Sequence, residues 1–268
     1  MTSLATKPTK TQRIPWPKLL VWELWLPVLL LAAWWVSSAS STDKYWIPLS
    51  QMLTVFFQDI LFGDAAKHIL PSLTNLGVGL GLGLVVGVVL GTFIGSSAKL
   101  DRATRPFLEV SRAIPPIALI PVAISVFGIG SSGKIWLIAF AALWPVLLNT
   151  VEGVRSVEPA LLDMTRSYRI PSSMVWRFIK LPAAMPQIMV GIRWSVSLAI
   201  IVMVSSEMFS ATKGIGFYLT MSQKTFAISE TWAATILLGV IGYLANLAVR
   251  LVEYRLLAWH RGRREATR

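Results

Sequence analysis

The chain has 268 residues, of which 54% are hydrophobic and only 14% are charged, whereas a soluble domain carries about 25% charged residues. The surface of a soluble domain must be wetted and hydrocarbon needs no wetting, so this deficit excludes an ordinary soluble domain and indicates a membrane protein. The absence of cysteine excludes disulfides and thiolate metal sites, and the net charge of +12 leaves nucleic acid binding and membrane topology as rival explanations.

Six apolar segments are long enough to cross a bilayer, given about 20 apolar residues per crossing. They lie at residues 19–39, 69–97, 107–128, 134–152, 184–207 and 229–257. The small residues at 37–41 leave signal-peptide cleavage as an alternative for the first segment, although Trp34 and Trp35 are typical of an interface belt. The prediction is an all-α membrane protein with about six transmembrane helices.

The distribution of Lys and Arg decides between the two explanations of the net charge. With the N-terminus in the cytoplasm, 18 of them fall in inside segments, 5 in outside segments, and Arg112 and Arg193 within spans. This alternation is the positive-inside pattern, so nucleic acid is not a predicted partner. Both termini are predicted to be cytoplasmic, with tails at 1–18 and 258–268 around one membrane domain at 19–257 and an amphipathic stretch at 45–62 along the outer interface.

Glycine recurs every four residues along one face of the second predicted span. The positions are Gly79, Gly83, Gly87, Gly91 and Gly95. Because such a face carries no side chains, another helix can approach closely, and the spacing predicts helix packing. A surface that slides during transport is the alternative interpretation.

A segment at 128–135 resembles a phosphate-binding loop up to its last position. That loop requires Ser or Thr after the lysine to hold magnesium, but Ile135 follows Lys134 here. The segment also joins two spans on the predicted outer side. We therefore predict that the chain binds no ATP.

The cytoplasmic loop at 153–183 has apolar residues at helical spacing. Leu161, Met164 and Tyr168 form one stripe, and the charged side chains that lie outside it are Asp163, Arg166 and Arg169. Ser156 is a candidate N-cap and Pro159 suits a first turn, while residues 171–173 separate a second short helix. Such helices either lie on the membrane surface or dock into a groove on a cytoplasmic partner.

The loop resembles the coupling loop of permease subunits of bacterial ABC importers. The resemblance rests on residues 163–171, on Leu181-Pro182 and on Pro186, and residues 112–130, 149–157 and 206–216 resemble the aliphatic sulfonate, taurine and nitrate branch. Asp163 replaces the family's Glu, Met164 and Thr165 replace two Ala, and Arg169 stands where the family has Gly. A left-handed backbone there costs a non-glycine residue about 1 kcal/mol or more, so either the turn differs or Arg169 contacts the ATPase.

The resemblance implies a type I importer permease in the bacterial inner membrane. It implies a dimer, expected to contain two copies of this chain, with two cytoplasmic ATPase subunits and an outside binding protein, periplasmic or lipid-anchored, that delivers a small anion. The chain would be a translocation subunit and not an enzyme, and ATP-Mg would be held by the partner subunit.

Polar and kinked positions within the spans are candidates for the translocation pathway. Arg193 is a charge deep in the fifth span, which either attracts an anion or pairs with another group. Glu207 either contacts the binding protein or braces the turn at 214–216. The other candidates are Ser111, Arg112, Pro115, Ser205 and Ser206, and prolines 115, 116 and 121 interrupt the third span, which therefore lines a wet cavity or is buried in protein.

Two other functional classes compete with the importer. A secondary transporter or channel would need buried acidic residues for coupling or an internal repeat, and neither is evident. An intramembrane enzyme would need a catalytic constellation within the spans, which the sequence does not contain. Sulfonate, taurine, nitrate, bicarbonate and a neutral metabolite remain open as substrates.

Overall fold

The computed structural model describes residues 16–43 and 45–257, without the side chains of residues 16–24, 27, 61, 64 and 210. Every regular element in this part of the chain is helical, as the composition predicts. The chain divides after Thr54 into two compact units.

The first unit contains α1 (Trp16–Ser38) and most of α2 (Leu49–Val55). The Leu49 backbone N–H donates to the buried Ser38 hydroxyl at 3.2 Å, and the Trp34 and Trp46 rings lie 6.0 Å apart. These contacts hold the start of α2 against the end of α1.

The second unit contains all of the longer helices after α1. In chain order they are a π-helical segment (Phe56–Leu61), a 3₁₀ turn (Asp64–His68), α3 (Ile69–Ser96), α4 (Ala98–Ala113), a 3₁₀ turn (Pro116–Leu119), α5 (Ile120–Phe127), α6 (Ser131–Arg155), α7 (Pro159–Ser167), α8 (Ser172–Val175), a π-helical segment (Trp176–Lys180), α9 (Leu181–Ser210), α10 (Ile215–Lys224) and α11 (Ile228–Leu256).

Four helices of the described part are long and apolar enough to cross a membrane. They run over Ala65–Ser96, Ser131–Arg155, Ser172–Phe209 and Ile228–Leu256. The third predicted span is not one helix: Ala98–Ala113 and Pro116–Phe127 meet at a 79° bend, which Pro115 and Pro116 explain because neither has an N–H to continue the helix. The first predicted span coincides with α1, whose described apolar part is Val28–Ser38.

The core of the second unit is built on α6, which packs against both α3 and α9. The five glycines of the α3 stripe all face α6, and a Cβ added to any of them would lie 3.0 Å or less from its atoms, whereas Gly77 and Gly81 face open space. On the other side of α6, Gly191 of α9 lies against Pro145 and Asn149. Backbones in close approach therefore hold the three helices together.

Candidate coupling segment and polar sites within the spans

The segment α7 is a short surface helix that starts on a proline. Pro159 occupies the first turn, where its missing N–H costs nothing. The prediction that Ser156 caps this helix is wrong, because Ser156 ends α6 and its hydroxyl donates to the Gly153 carbonyl at 2.8 Å. Glu158 is the residue before α7, and it makes no side-chain capping bond.

Arg169 ends α7 in the left-handed conformation, with φ of 52°. The Ile170 N–H donates to the Thr165 carbonyl at 2.9 Å, and the Arg169 N–H donates to the Arg166 carbonyl at 3.0 Å. This is the Schellman pattern, in which glycine is the usual residue at the left-handed position. The turn therefore has the geometry that usually requires glycine, although the residue at the left-handed position is arginine.

The apolar stripe of α7 faces outward. Leu161 is 39% exposed, Met164 55% and Tyr168 75%, while Thr165, one turn after Leu161, is buried at the edge of the stripe. Asp163 and Arg166 form an exposed ion pair at 2.9 Å. An apolar stripe at helical spacing that no described residue covers is the usual form of a helix that docks into a partner's groove.

The second short helix predicted after residues 171–173 is not separate. It forms the first turns of one long helix that follows α7. This long helix runs over Ser172–Phe209, 38 residues, or roughly 57 Å at 1.5 Å per residue. Because the hydrocarbon core is about 30 Å thick, the helix extends beyond the membrane toward α7. The Trp176 indole N–H reaches the Ser96 hydroxyl at 3.4 Å, so this extension is tied to the end of α3.

Glu207 is fully buried near the end of α9, where three elements meet. Both carboxylate oxygens accept from the Ser72 hydroxyl at 2.8 Å, and one also accepts from the Gly216 N–H at 3.0 Å. The Ile215 N–H donates to Ser72 at 2.8 Å. A carboxylate at the N-terminus of α10 is favourable because the helix dipole is positive there.

A lysine and a glycine complete this cluster. Lys134 of α6 is buried and interacts electrostatically with Glu207. Gly214 has φ of 127°, a Cβ at this position would lie 2.4 Å from Glu207 Cδ, and its N–H donates to His68 Nδ1 at 3.2 Å. Of the two roles considered for Glu207, these contacts favour bracing of the 214–216 turn.

The remaining pathway candidates do not gather at one place. Arg193 pairs with Glu253 of α11. Ser111 and Arg112 lie in the last turn of α4 and Pro115 at the bend that follows. Ser205 is half-buried in α9, and Ser206 is buried there, where its hydroxyl donates to the Met203 carbonyl at 2.9 Å.

The sequence analysis missed the polar contacts between helices. Asp101 of α4 pairs with Arg155 of α6, and Gln187 of α9 donates to Asn149 of α6 at 2.9 Å. Asp101 stands out only as a carboxylate in the first turn of an amphipathic helix. Nothing in the local sequence identifies the partners.

Replacing Arg169 by glycine should stabilise the isolated chain. The left-handed turn costs a non-glycine residue about 1 kcal/mol or more, so the variant should unfold at a higher temperature than the native protein. Thermal unfolding of the purified chain measures this, with Phe226→Gly as the control because Phe226 also has a positive φ, of 55°. If Arg169→Gly instead abolishes ATPase association while Phe226→Gly retains it, the arginine makes a contact that the partner requires.

The comparisons with known proteins all indicate the same family. Residues 83–258 match the family described as binding-protein-dependent transport system inner membrane component. The chain is 34% identical to the putative aliphatic sulfonates transport permease protein of Escherichia coli (strain K12), over 88% of this chain and 90% of that one. It is 28% identical to the taurine transport system permease protein of the same organism, over 88% of each chain.

A cyanobacterial relative and a solved structure extend the comparison. The nitrate import permease protein of Synechocystis sp. (strain ATCC 27184 / PCC 6803 / Kazusa) is 33% identical over 69% of this chain and 67% of that one. A chain of the MetNI methionine ABC transporter in an inward-facing conformation superimposes with a TM-score of 0.61 at 18% identity, over 72% of this chain and 95% of that one. At this identity the structural likeness concerns the fold alone.

Proposed function

Because the chain belongs to the family of binding-protein-dependent transport system inner membrane components, we propose that it is the translocation subunit of an ATP-driven importer for a small oxyanion. The cargo is an aliphatic sulfonate, taurine or nitrate, the substrates named for its relatives. These compounds differ in size and net charge, but each carries a group of negatively charged oxygens around a central atom. The chain performs no bond chemistry, and ATP-Mg is held by a partner ATPase.

The exposed stripe of α7 is the observation that carries the proposal. Leu161, Met164 and Tyr168 dock in a groove of the ATPase, and Asp163, Arg166 and Arg169 set the register through charge. Only three residues separate α7 from the end of α6, and only four separate it from the start of the long helix Ser172–Phe209, which includes α9. When ATP closes the ATPases, displacement of α7 therefore acts on two core helices, and the pathway changes from inward-open to outward-open.

The assembly consists of two copies of this chain, two ATPases on the cytoplasmic side and one binding protein outside. The α7 segment and both termini face the cytoplasm, which is the orientation that the positive-inside pattern predicts. Ser111, Arg112 and Pro115, at the bend between α4 and α5, are the pathway residues that we favour. A broken helix at membrane depth exposes backbone groups and is tolerated where it lines a wet cavity.

The test is reconstitution of the chain with its ATPase and binding protein in proteoliposomes. We expect uptake of radiolabelled taurine, ethanesulfonate or nitrate that requires both ATP and the binding protein. Changing Met164 to Asp should abolish ATPase co-purification, because a carboxylate in an apolar groove loses its hydration without gaining a partner. Uptake by the purified chain alone, without ATP, would instead establish a secondary transporter or channel.

Met221 provides a matched control for the docking variant. It is 53% exposed, close to the 55% of Met164, but lies in α10, beyond the opposite end of α9. Met221→Asp should therefore retain the ATPase. Equal loss in both variants would show that the aspartate disrupts the fold, and equal retention would contradict docking through the stripe.

A further inference from the structure

An ion pair between a buried carboxylate and a partly exposed arginine joins the start of α4 to the end of α6. The Asp101 side chain is only 6% exposed and lies between two guanidinium groups. Arg105, at 3.1 Å, belongs to α4 itself, whereas Arg155 is the last residue of α6. Both arginines compensate the charge of the carboxylate, but only Arg155 connects two helices.

Arg155 is also next to the coupling segment. Residues 156–158 are all that separate it from α7, and the Ser156 N–H still donates to the Glu152 carbonyl at 2.9 Å, which closes the last turn of α6. A connection this short and this well bonded has little freedom to absorb movement. Displacement of α7 therefore reaches Arg155 directly.

Asp101, the other member of the pair, belongs to α4, the helix that precedes the bend in the third predicted span. It lies in the first turn of α4, and α4 ends at Ala113, where the chain bends by 79°. A cleft of about 240 Å³ separates much of α4 from α6. On its apolar side α4 is held by Leu108, which packs with Ile94, Leu147 and Val151. Within the described residues, the ion pair is thus the polar link that joins α4 to the coupling end of α6.

We infer that the Asp101–Arg155 ion pair transmits the movement of α7 to α4 and so to the bend at 113–116, an inference that rests on the proposed function. Its two members are positioning residues, which neither dock the ATPase nor touch the transported anion. The cleft limits the packing of α4 on α6 to the apolar cluster around Leu108, so the ion pair adds a second, polar connection near the end of α6. Because the pair ties the two helix ends together, a movement of α6 at Arg155 displaces α4 at Asp101.

The experiment measures anion transported per ATP hydrolysed in proteoliposomes that contain the chain, its ATPase and its binding protein, with radiolabelled taurine, ethanesulfonate or nitrate. In Asp101→Asn and Arg155→Gln this ratio should fall about tenfold while the ATPase stays bound. Arg105→Gln is the matched control: it removes the same charge as Arg155→Gln and also borders Asp101, but it leaves the link between helices intact, so its ratio should stay within about twofold of the native value.

The double variant Asp101→Asn/Arg155→Gln separates coupling from stability. Removal of both charges should bring the unfolding temperature back toward the native value, since no buried charge is left unpaired, while transport per ATP stays low. Recovery of both quantities would overturn the inference and make the pair purely structural, as would an unchanged ratio in the single variants. If the native complex shows no ATP-dependent uptake, the proposed function itself fails.

Discussion

Replacing Gly83 by alanine should destabilise the protein, whereas the same replacement at Gly81, two residues earlier in α3, should leave it equally stable or more stable. A Cβ at Gly83 would lie 2.6 Å from the Ala139 carbonyl oxygen and 2.8 Å from the Ala142 Cβ, while a Cβ at Gly81 would meet no atom within 4 Å. The expected loss at Gly83 is about 1–3 kcal/mol, the usual cost of overpacking.

Gly81→Ala is a matched control for Gly83→Ala, because both variants make the same substitution in the same helix. Alanine favours a helix over glycine by about 1 kcal/mol, so Gly81→Ala should gain stability where Gly83→Ala loses it. The unfolding temperature in detergent, followed by circular dichroism, measures both. Equal temperatures for the two variants would show that α3 and α6 do not approach each other at this face.

Removing the carboxylate of Glu207 should have the largest single effect on folding. In Glu207→Ala the buried Lys134 loses its counter-charge, and the Ser72 hydroxyl and the Gly216 N–H lose their acceptor. A buried donor left without an acceptor costs about 1–3 kcal/mol, and here two donors lose theirs. Size-exclusion chromatography of the detergent-solubilised protein should show a much smaller folded fraction.

A double variant tests whether the uncompensated charge causes this loss. Glu207→Gln keeps an acceptor for Ser72 and Gly216, and Lys134→Met removes the charge that is left without a partner. The combination should recover most of the folded fraction, because a matched neutral pair carries no buried charge. If Lys134→Met/Glu207→Gln is as unstable as Glu207→Ala, the charge of Lys134 contributes little to the loss.

The local sequence predicts α3 and α11 almost to the residue. The predicted spans 69–97 and 229–257 correspond to Ile69–Ser96 and Ile228–Leu256, because a bilayer imposes both length and apolarity on a crossing helix. The fifth predicted span, 184–207, lies within a longer helix, Ser172–Phe209. That helix begins at Ser172, and residues 172–183 mix Ser, Arg and Lys with apolar side chains, so hydropathy does not mark where the helix starts.

The α7 segment likewise combines features that the local sequence predicts with one that it leaves open. The spacing of Leu161, Met164 and Tyr168 predicts their common face, and the resemblance of residues 163–171 to importer permeases is confirmed by the family match, as is the all-α permease fold. The sequence leaves open how the chain turns at Arg169. The backbone decides this, with a left-handed residue and two hydrogen bonds that end α7.

By itself, then, the sequence determines which segments are apolar enough to enter a membrane, where the glycine face lies and which family the chain resembles, since each of these is a property of neighbouring residues. Only the tertiary structure decides that Glu207 meets Ser72 and that Asp101 meets Arg155. Such contacts join residues from different helices, and the packing of α3, α4, α6 and α9 selects each partner. No local pattern records that choice.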